Sequence, residues 1–577
     1  MRVAVTQFAT SLNTQENLAT CIRMINEAAV CKPSIIVLPE FCNTQSWYVD
    51  HNQAWDQALT LDGTFLQSIA QQAKAHDCYI VLNVTLRRQQ SRDHQNGSLK
   101  SKISVTSCLL SPQGEIILQA DKQTLIGHEN DFFISSLQDT EVATTPFGKL
   151  ALLSGSDANT FDLSRELALH GAQLLCSSLN SLLTDESCLH GPARSCENNV
   201  FLATANKVGA LVAEEQSTII ATQRSIPEEQ LVGIGQSQIV SPDGKVLASI
   251  ANNKEGFVFA DIDLVDAGID SNINCRPDGT EFFKQRRADL YQSLTLPKKQ
   301  LAKQNDNVPL TANVAIFATY TSNQQALEDV CYYIENNVSD IIQLPELFFI
   351  ADKTITNNAE ELSKIESLSG QVIAQISAVL RPFQYVCTSL VIDGMHQAVI
   401  ISAQGLFAQQ QQLHFCQRYQ WTSLGDDLNI IELPLEQGSI NVAMLTADDV
   451  NIPEIVKIAS LNGIHLLLAP FDIQEPSDVE PSLLARAAEN RICIVAATRE
   501  KNFADKSSSA NSKGNKIKLQ KSTGLIANLT ADFSTLPQWQ APKFNGSLNQ
   551  PIVTHQHGKI TKAVIHPIAA CYKLMKF

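Results

Sequence analysis

No stretch of the 577 residues reaches the run of about 18 apolar residues that a membrane-spanning helix requires. Fourteen cysteines include no CxxC pair and no regular spacing, so no disulfide framework is indicated and they read as reduced, mostly buried thiols. The first residues, MRVAVTQF, lack an extended apolar core and read as a strand, so no secretory signal is expected and the expected compartment is the cytoplasm. Arginine and glutamate are absent from residues 501–577, where 11 Lys and 2 Asp give +9 and leave −25 for residues 1–500 of a chain whose total is −16. An acidic body argues against a nucleic-acid surface spread over the protein, and the basic tail reads as a solvated segment.

What is present suits two large globular domains. Hydrophobic residues at 44% and charged residues at 18% are ordinary for chains that bury a core, and 577 residues exceed what one core holds. Arg2–Phe8 alternates as a strand, Asn13–Ala29 carries apolar residues at helical spacing, and Ser34-Ile-Ile-Val-Leu-Pro-Glu40 is a buried strand ending in Pro-Glu. Strand, helix, strand implies a crossover in a partly parallel sheet. Phe65–His76 reads as helix and Cys78–Thr85 as strand, followed by a hairpin of Ser104–Leu110 with Gly114–Ala120 that leads into Lys122.

Seven pieces then stand in a recognisable order: LPE at 38–40, Lys122 with Glu129, the strand Gly148–Ser154 with its turn to Asp157, Arg165–Leu175, Ala193–Asn199, Gly235–Gly244 and Arg286–Tyr291. In that order they resemble the nitrilase (carbon-nitrogen hydrolase) superfamily. The resemblance implies an α/β fold, an α-β-β-α sandwich, and a reaction in which a cysteine thiolate attacks an amide or nitrile carbon to give a thioester. Carried over by position, Glu40 is the base, Lys122 stabilises the oxyanion and Glu129 supports them. The simpler readings are that Glu40 caps a helix and that Lys122 pairs with Glu129 on the surface. The nucleophile's place, two residues before Asp157, is Gly155; a shift by one residue gives Ser154 or Ser156, and the nearest thiols, Cys176, Cys188 and Cys196, fall in other family segments. Phe161-Asp162 stands where the family has proline-glutamate.

The second half repeats the pattern. Asn313-Val-Ala-Ile-Phe mirrors Arg2-Val-Ala-Val-Thr, Asp340–Glu346 mirrors Ser34–Glu40, and Asn462–Leu467 and Ala485–Arg491 mirror segments of the first half 292 residues earlier. Gly155 then maps to Ala447 and Asp157 to Asp449, with Pro453-Glu454 where the family's proline-glutamate pair belongs. Thr446 and Asp448 flank Ala447, so no thiol is offered here either. No lysine occurs between Lys364 and Lys457, which leaves His414 and Arg418 as candidates for the lysine position. The expected organisation is two tandem nitrilase-like α-β-β-α sandwich domains: residues 1–293, a linker at 294–311, and a degenerate copy at 312–577 with a lysine-rich insertion around 501–521.

With Glu40, Lys122 and Glu129 kept and Gly155 at the nucleophile position, and with Glu346, Arg418 and Ala447 as the remnants in the second copy, the expectation is a pseudoenzyme that binds a small amide- or carboxylate-like ligand or a protein partner. The alternatives are an active C–N hydrolase using a serine, a threonine or a Glu40-activated water, and a pure scaffold. The two copies are expected to pair as an internal pseudo-dimer. No cofactor and no metal are expected, since His555, His557 and His566 lack convergent ligands.

Overall fold

The computed structural model describes residues 1–92, 99–136, 141–181, 186–224, 228, 231–269, 271, 275–281, 283–295, 307–319, 323–350, 355–503, 520–529, 543–545 and 558–571. Residues 296–306 of the expected linker, 504–519 of the lysine-rich stretch, and His555 and His557 lie outside the described residues. The chain divides into two units, one built on residues 1–274 and one beginning at Cys275.

In the first unit, Arg2–Phe8 is the pivot. It lies parallel to Ile35–Val37 and antiparallel to Gly256–Asp261, and it meets Phe201–Ala210 only at Gln7–Asn206 and Phe8–Lys207. Those two pairs join both halves into one thirteen-stranded sheet. Alternation along the strands sorts side chains into two cores. Val3, Val5, Ile35 and Val37 pack against Leu150, Leu152, Leu174 and Ala203 between the two halves. Ala4, Phe8, Ile36 and Leu38 face outward, under Cys21, Met24, Ile25 and Ala28 of helix Thr14–Ala29 and Phe65, Leu66 and Ile69 of helix Thr64–His76. Because both faces are buried, the strands read as continuous apolar runs. Helix Thr14–Ala29 starts where Asn13 accepts the N–H groups of Gln15 and Glu16, satisfying two donors that the helix itself cannot.

The second unit has the same layers built on two six-stranded sheets. Val314, Ile316, Ile341 and Cys387 of one sheet meet Val442, Leu466, Leu468 and Val495 of the other. Phe317, Ile342 and Leu344 lie against helices Asn323–Asn336 and Ala359–Val379. On the far side, Leu467, Ala469 and Ile494 lie under Ile455, Val456 and Ala487 of helices Pro453–Leu461 and Leu484–Asn490. The α-β-β-α layering expected from the sequence is the layering of each unit.

The division between units departs from the expected boundary after residue 293. Residues from Cys275 onward belong to the second unit, and charge pairing is the reason. Arg276 pairs with Asp448 and Asp478, Arg286 with Glu454, Arg287 with Asp426, and Asp278 with Arg418. Tyr291, inside the motif Arg286–Tyr291 that the sequence assigns to the first copy, packs in the core of the second.

Candidate functional site

Three segments of the first unit bring Glu40, Lys122 and Glu129 together. Past strand Ile35–Val37 the chain turns at Phe41, whose φ of 54° is left-handed and whose N–H is held by Asn83 Oδ1 at 2.9 Å. Lys122 follows strand Ile116–Asp121 and donates its own N–H to the Val105 carbonyl at 2.8 Å. Glu129 opens a short helix, its Oε2 accepting the Ile126 N–H at 3.0 Å. Lys122 Nζ donates to Glu40 Oε1 at 3.0 Å and to Glu129 Oε1 at 2.6 Å, with all three residues no more than 5% exposed. Neither simpler reading holds for this arrangement: Glu40 caps no helix, and the lysine pairs inside the protein.

Burial makes the electrostatics unusual. It pushes the Glu40 carboxyl up to about 8, with Lys122 pulling down and Glu129 pushing further up. Burial alone would lower Lys122, but Glu129 and Glu40 outweigh it and hold the ammonium above its ordinary range. Asp157 is pushed up to about 6 by burial, against the N–H groups of Thr124 and Gln123 that it accepts at 2.7 and 3.1 Å. At neutral pH Glu40 is therefore protonated while Lys122 is charged.

Gly155 stands where strand Gly148–Ser154 breaks into a tight turn, with φ at 48°. A Cβ added there would lie 2.5 Å from Lys122 Nζ and 2.6 and 2.7 Å from the two Glu40 oxygens. The volume a side chain would occupy is filled by the lysine and the carboxyl. The flanking hydroxyls are engaged elsewhere: Ser154 Oγ with Ser107 Oγ at 2.8 Å and Asn83 Nδ2 at 3.1 Å, and Ser156 Oγ with the Thr124 carbonyl at 2.6 Å. Cys176 lies in the core between the sheet halves, Cys196 is buried in helix Gly191–Asn198, and the Cys188 thiol donates to Gln236 Oε1 at 3.0 Å.

The same bonding pattern recurs in the second unit with different side chains. Glu346 ends strand Ile341–Glu346, and the next residue, Leu347, is left-handed at φ 43° with its N–H on Ser389 Oγ at 3.1 Å. Asp449 accepts the N–H groups of Leu413 and His414 at 2.9 and 2.8 Å, as Asp157 accepts those of Gln123 and Thr124. Gln412 donates its N–H to the His396 carbonyl at 3.1 Å, as Lys122 does to Val105. This register sets Gln412 against Lys122, and neither His414 nor Arg418 takes that position. His414 is held between Asp449 Oδ1 at 2.9 Å and the Tyr291 hydroxyl at 2.7 Å. Arg418 forks between Asp278 and Asp448, at 2.7 and 2.8 Å.

Glu346 is reached instead by the Tyr419 hydroxyl and, at 3.1 Å, by the N–H of Ala447, itself left-handed at φ 53°. Burial pushes Glu346 up to about 7, against the pull of Arg418. Thr446 Oγ1 is spent on the Pro470 carbonyl at 3.0 Å. Asp278, Cys416 and Asp448 lie close enough together to hold a metal ion, but Arg418 and Arg276 already supply positive charge to those carboxylates. His566 accepts from Asn528 Nδ2 at 3.1 Å.

Sequence reasoning missed three residues of the first site. Asn83 carried a signal, being an amide in the middle of the apolar strand Tyr79–Arg92. Asn159 and Glu186, joined by a 2.8 Å hydrogen bond, carried none, since no motif marks either residue in the sequence.

Among known proteins, the model of the carbon-nitrogen hydrolase family matches residues 2–269. A probable nitrilase of Schizosaccharomyces pombe is 30% identical over 201 residues, covering 34% of this chain and 65% of that protein, just under two thirds of its length. A deaminated glutathione amidase of Rattus norvegicus is 28% identical across 51% of this chain and 84% of its own. An omega-amidase of Xenopus tropicalis is 26% identical across 50% and 96%. Among solved structures, an amidase of Nesterenkonia from the nitrilase superfamily covers 51% of this chain and 97% of its own at 22% identity, with a TM-score of 0.38. The residues 2–269 matched by that family model contain Glu40, Lys122, Glu129 and Gly155.

Proposed function

We propose that this chain is a tandem pair of carbon-nitrogen hydrolase-like units, neither with a cysteine nucleophile, and that its first unit binds a ligand without hydrolysing it. One observation carries the reading: the space for a side chain at position 155 is taken by Lys122 and Glu40. Losing the nucleophile from a cooperating catalytic set costs on the order of 10⁶ in rate, and Ser154, Ser156 and Thr446 all have their hydroxyls committed away from the glutamates. The second unit has Gln412 and Ala447 at the corresponding positions and so lacks both the lysine and the nucleophile. The cytoplasm, where reduced thiols persist, is the compartment this composition suits.

A second reading, hydrolysis by water activated at Glu40, is favoured by the intact Glu40–Lys122–Glu129 set and by the amidases among the relatives. It has its own signature: a carboxyl with a pKa of about 8 becomes a base only above that pH. The deciding experiment measures ammonia release over a panel of amides, nitriles and N-carbamoyl compounds from pH 6 to pH 9.5, with Lys122→Ala as the control. Release no greater than the control supports binding without turnover. Turnover that rises above pH 8 and disappears in Lys122→Ala establishes the hydrolase.

A further inference from the structure

We infer that Asn83 is the positioning residue of the first site: its side-chain amide braces the turn that carries Glu40 against the strand end that carries position 155. This rests on the reading of Glu40, Lys122 and position 155 as one site and adds the residue that sets their spacing. Alternation along strand Tyr79–Arg92 puts Asn83 on the same face as Val81, which packs in the core between the two halves of the unit. An apolar residue would serve the strand equally well there, because the pairing with Ser107 of strand Leu99–Leu110 is made by the backbone. A buried amide is costly unless its donors and its carbonyl find partners, and those of the fully buried Asn83 all do. Oδ1 accepts the Phe41 N–H at 2.9 Å. Nδ2 donates to Ser107 Oγ at 3.0 Å and to Ser154 Oγ at 3.1 Å, and the two hydroxyls are themselves 2.8 Å apart.

The identity of these partners gives the amide its role. Phe41 directly follows Glu40 and Ser154 directly precedes Gly155, so one planar group fixes both segments at the point where the Glu40 carboxyl meets the side-chain space of position 155. Phe41 is left-handed at φ 54°, a conformation that a residue with a Cβ keeps only where its surroundings impose it. Asn83 grips that turn twice, since its backbone carbonyl also accepts the Cys42 N–H at 2.9 Å. The second unit meets the same need with another side chain: Ser389 Oγ takes the N–H of left-handed Leu347 at 3.1 Å. Capture of the N–H that follows the strand-end glutamate is thus built into both units. In the first the capturing group reaches on to the residue before position 155, whereas Ser389 bonds to His396.

The Glu40 proton reports the placement, because burial pushes that carboxyl up to about 8 more strongly than Lys122 pulls it down. A turn free to move admits water to the carboxyl and lowers the pH at which the proton leaves. The measurement is urea unfolding of the full-length protein from pH 4 to pH 10, each variant paired with the same variant carrying Glu40→Gln, so that the difference isolates Glu40. Asn83→Leu should lower the midpoint of Glu40 by at least about one pH unit, a tenfold loss of proton affinity. Asn83→Asp keeps an acceptor for the Phe41 N–H and can take the serine protons on its other oxygen, so it should hold the midpoint at or above the wild-type value. Ser154→Ala cuts one arm of the brace and should lower the midpoint by less than Asn83→Leu does. A midpoint left unchanged by Asn83→Leu, or by Ser154→Ala where the leucine variant does not fold, makes Asn83 a residue of stability alone and overturns the inference. An equal fall in Asn83→Asp and Asn83→Leu overturns it as well. Neither ligand nor turnover enters these measurements, so they fail separately from the ammonia-release test.

Discussion

Replacing Gly155 with alanine adds one methyl group at the most crowded point of the first site. Two costs can be worked from the structure. The left-handed φ of 48° costs a residue with a Cβ about 1 kcal/mol more than glycine. The methyl also falls 2.5 Å from Lys122 Nζ, so the ammonium must withdraw from its 3.0 Å bond to Glu40, and a hydrogen bond to a charged group is worth about 1.5–3 kcal/mol. The expected loss is about 2–4 kcal/mol, roughly 5–15 °C in the melting of the first unit. Urea unfolding followed by circular dichroism gives the number, and a double-mutant cycle with Lys122→Met gives its origin. With the ammonium gone its share of the clash is relieved while the 2.6 and 2.7 Å contacts with the Glu40 oxygens remain, so the alanine should then cost measurably less than it does beside Lys122. A loss below 0.5 kcal/mol, or the same loss in both backgrounds, would refute the claim that Lys122 and Glu40 occupy the side-chain volume at position 155.

Gly155→Cys should yield a thiol that iodoacetamide modifies and ammonia release above wild type on at least one amide; a reactive thiol with no release would mean that Lys122 and Glu40 cannot retract to serve it. Glu40 holds a proton in the folded state up to about pH 8 that the unfolded chain gives up near 4.5, so stability falls as pH rises between those values, and Glu40→Gln should abolish that slope in paired melts. Burial lowers His396 to about 4 from 6.5, so its contribution is complete above pH 6.5 and declines by about 1.4 kcal/mol per pH unit toward pH 4; His396→Gln should flatten the second unit's acid limb. Tyr291→Phe leaves His414 Nε2 without its 2.7 Å partner and should cost the second unit about 1–3 kcal/mol in chemical unfolding, whereas an effect confined to the first unit would contradict the assignment of residues after 274.

Much of this was legible because burial on both faces leaves a strong mark. The runs Ser34–Leu38 and Asp340–Leu344 could only be interior strands, and the Pro-Glu ending each placed a carboxyl at a strand end. The residue of the second unit that corresponds to Lys122 in backbone bonding was not legible, because charge was the criterion and that residue, Gln412, is neutral. Gln412 is identified by what its backbone N–H does, and no side-chain property announces that. The partners of Arg286–Tyr291 were hidden for a related reason. Arg286–Tyr291 follows the first copy in sequence, but its partners Glu454, Asp426 and His414 lie far along the chain, and no local pattern indicates which acids an arginine will meet.

The second unit shows what replaces an ion pair when the lysine is gone. Since Gln412 Nε2 donates to a carbonyl, its Oε1 is left to accept at 2.8 Å from His396 Nδ1–H, and Nε2 of the neutral ring then accepts the Ser389 hydroxyl at 2.8 Å. Gln412 Nε2 passes the chain on to the His414 carbonyl at 2.7 Å. A neutral relay thus ties the glutamate turn to the strand end where the first unit uses Lys122. Left-handed residues persist at both ends, Leu347 and Ala447, although such a conformation is strained for any residue with a Cβ. Ala447 spends that strain on presenting its N–H to Glu346, so the turn has a structural use that needs no nucleophile. The strained turn is therefore not by itself a sign of catalysis in this chain. At position 155 of the first unit the same conformation falls on glycine, which adopts it without that strain, and Lys122 and Glu40 fill the space instead.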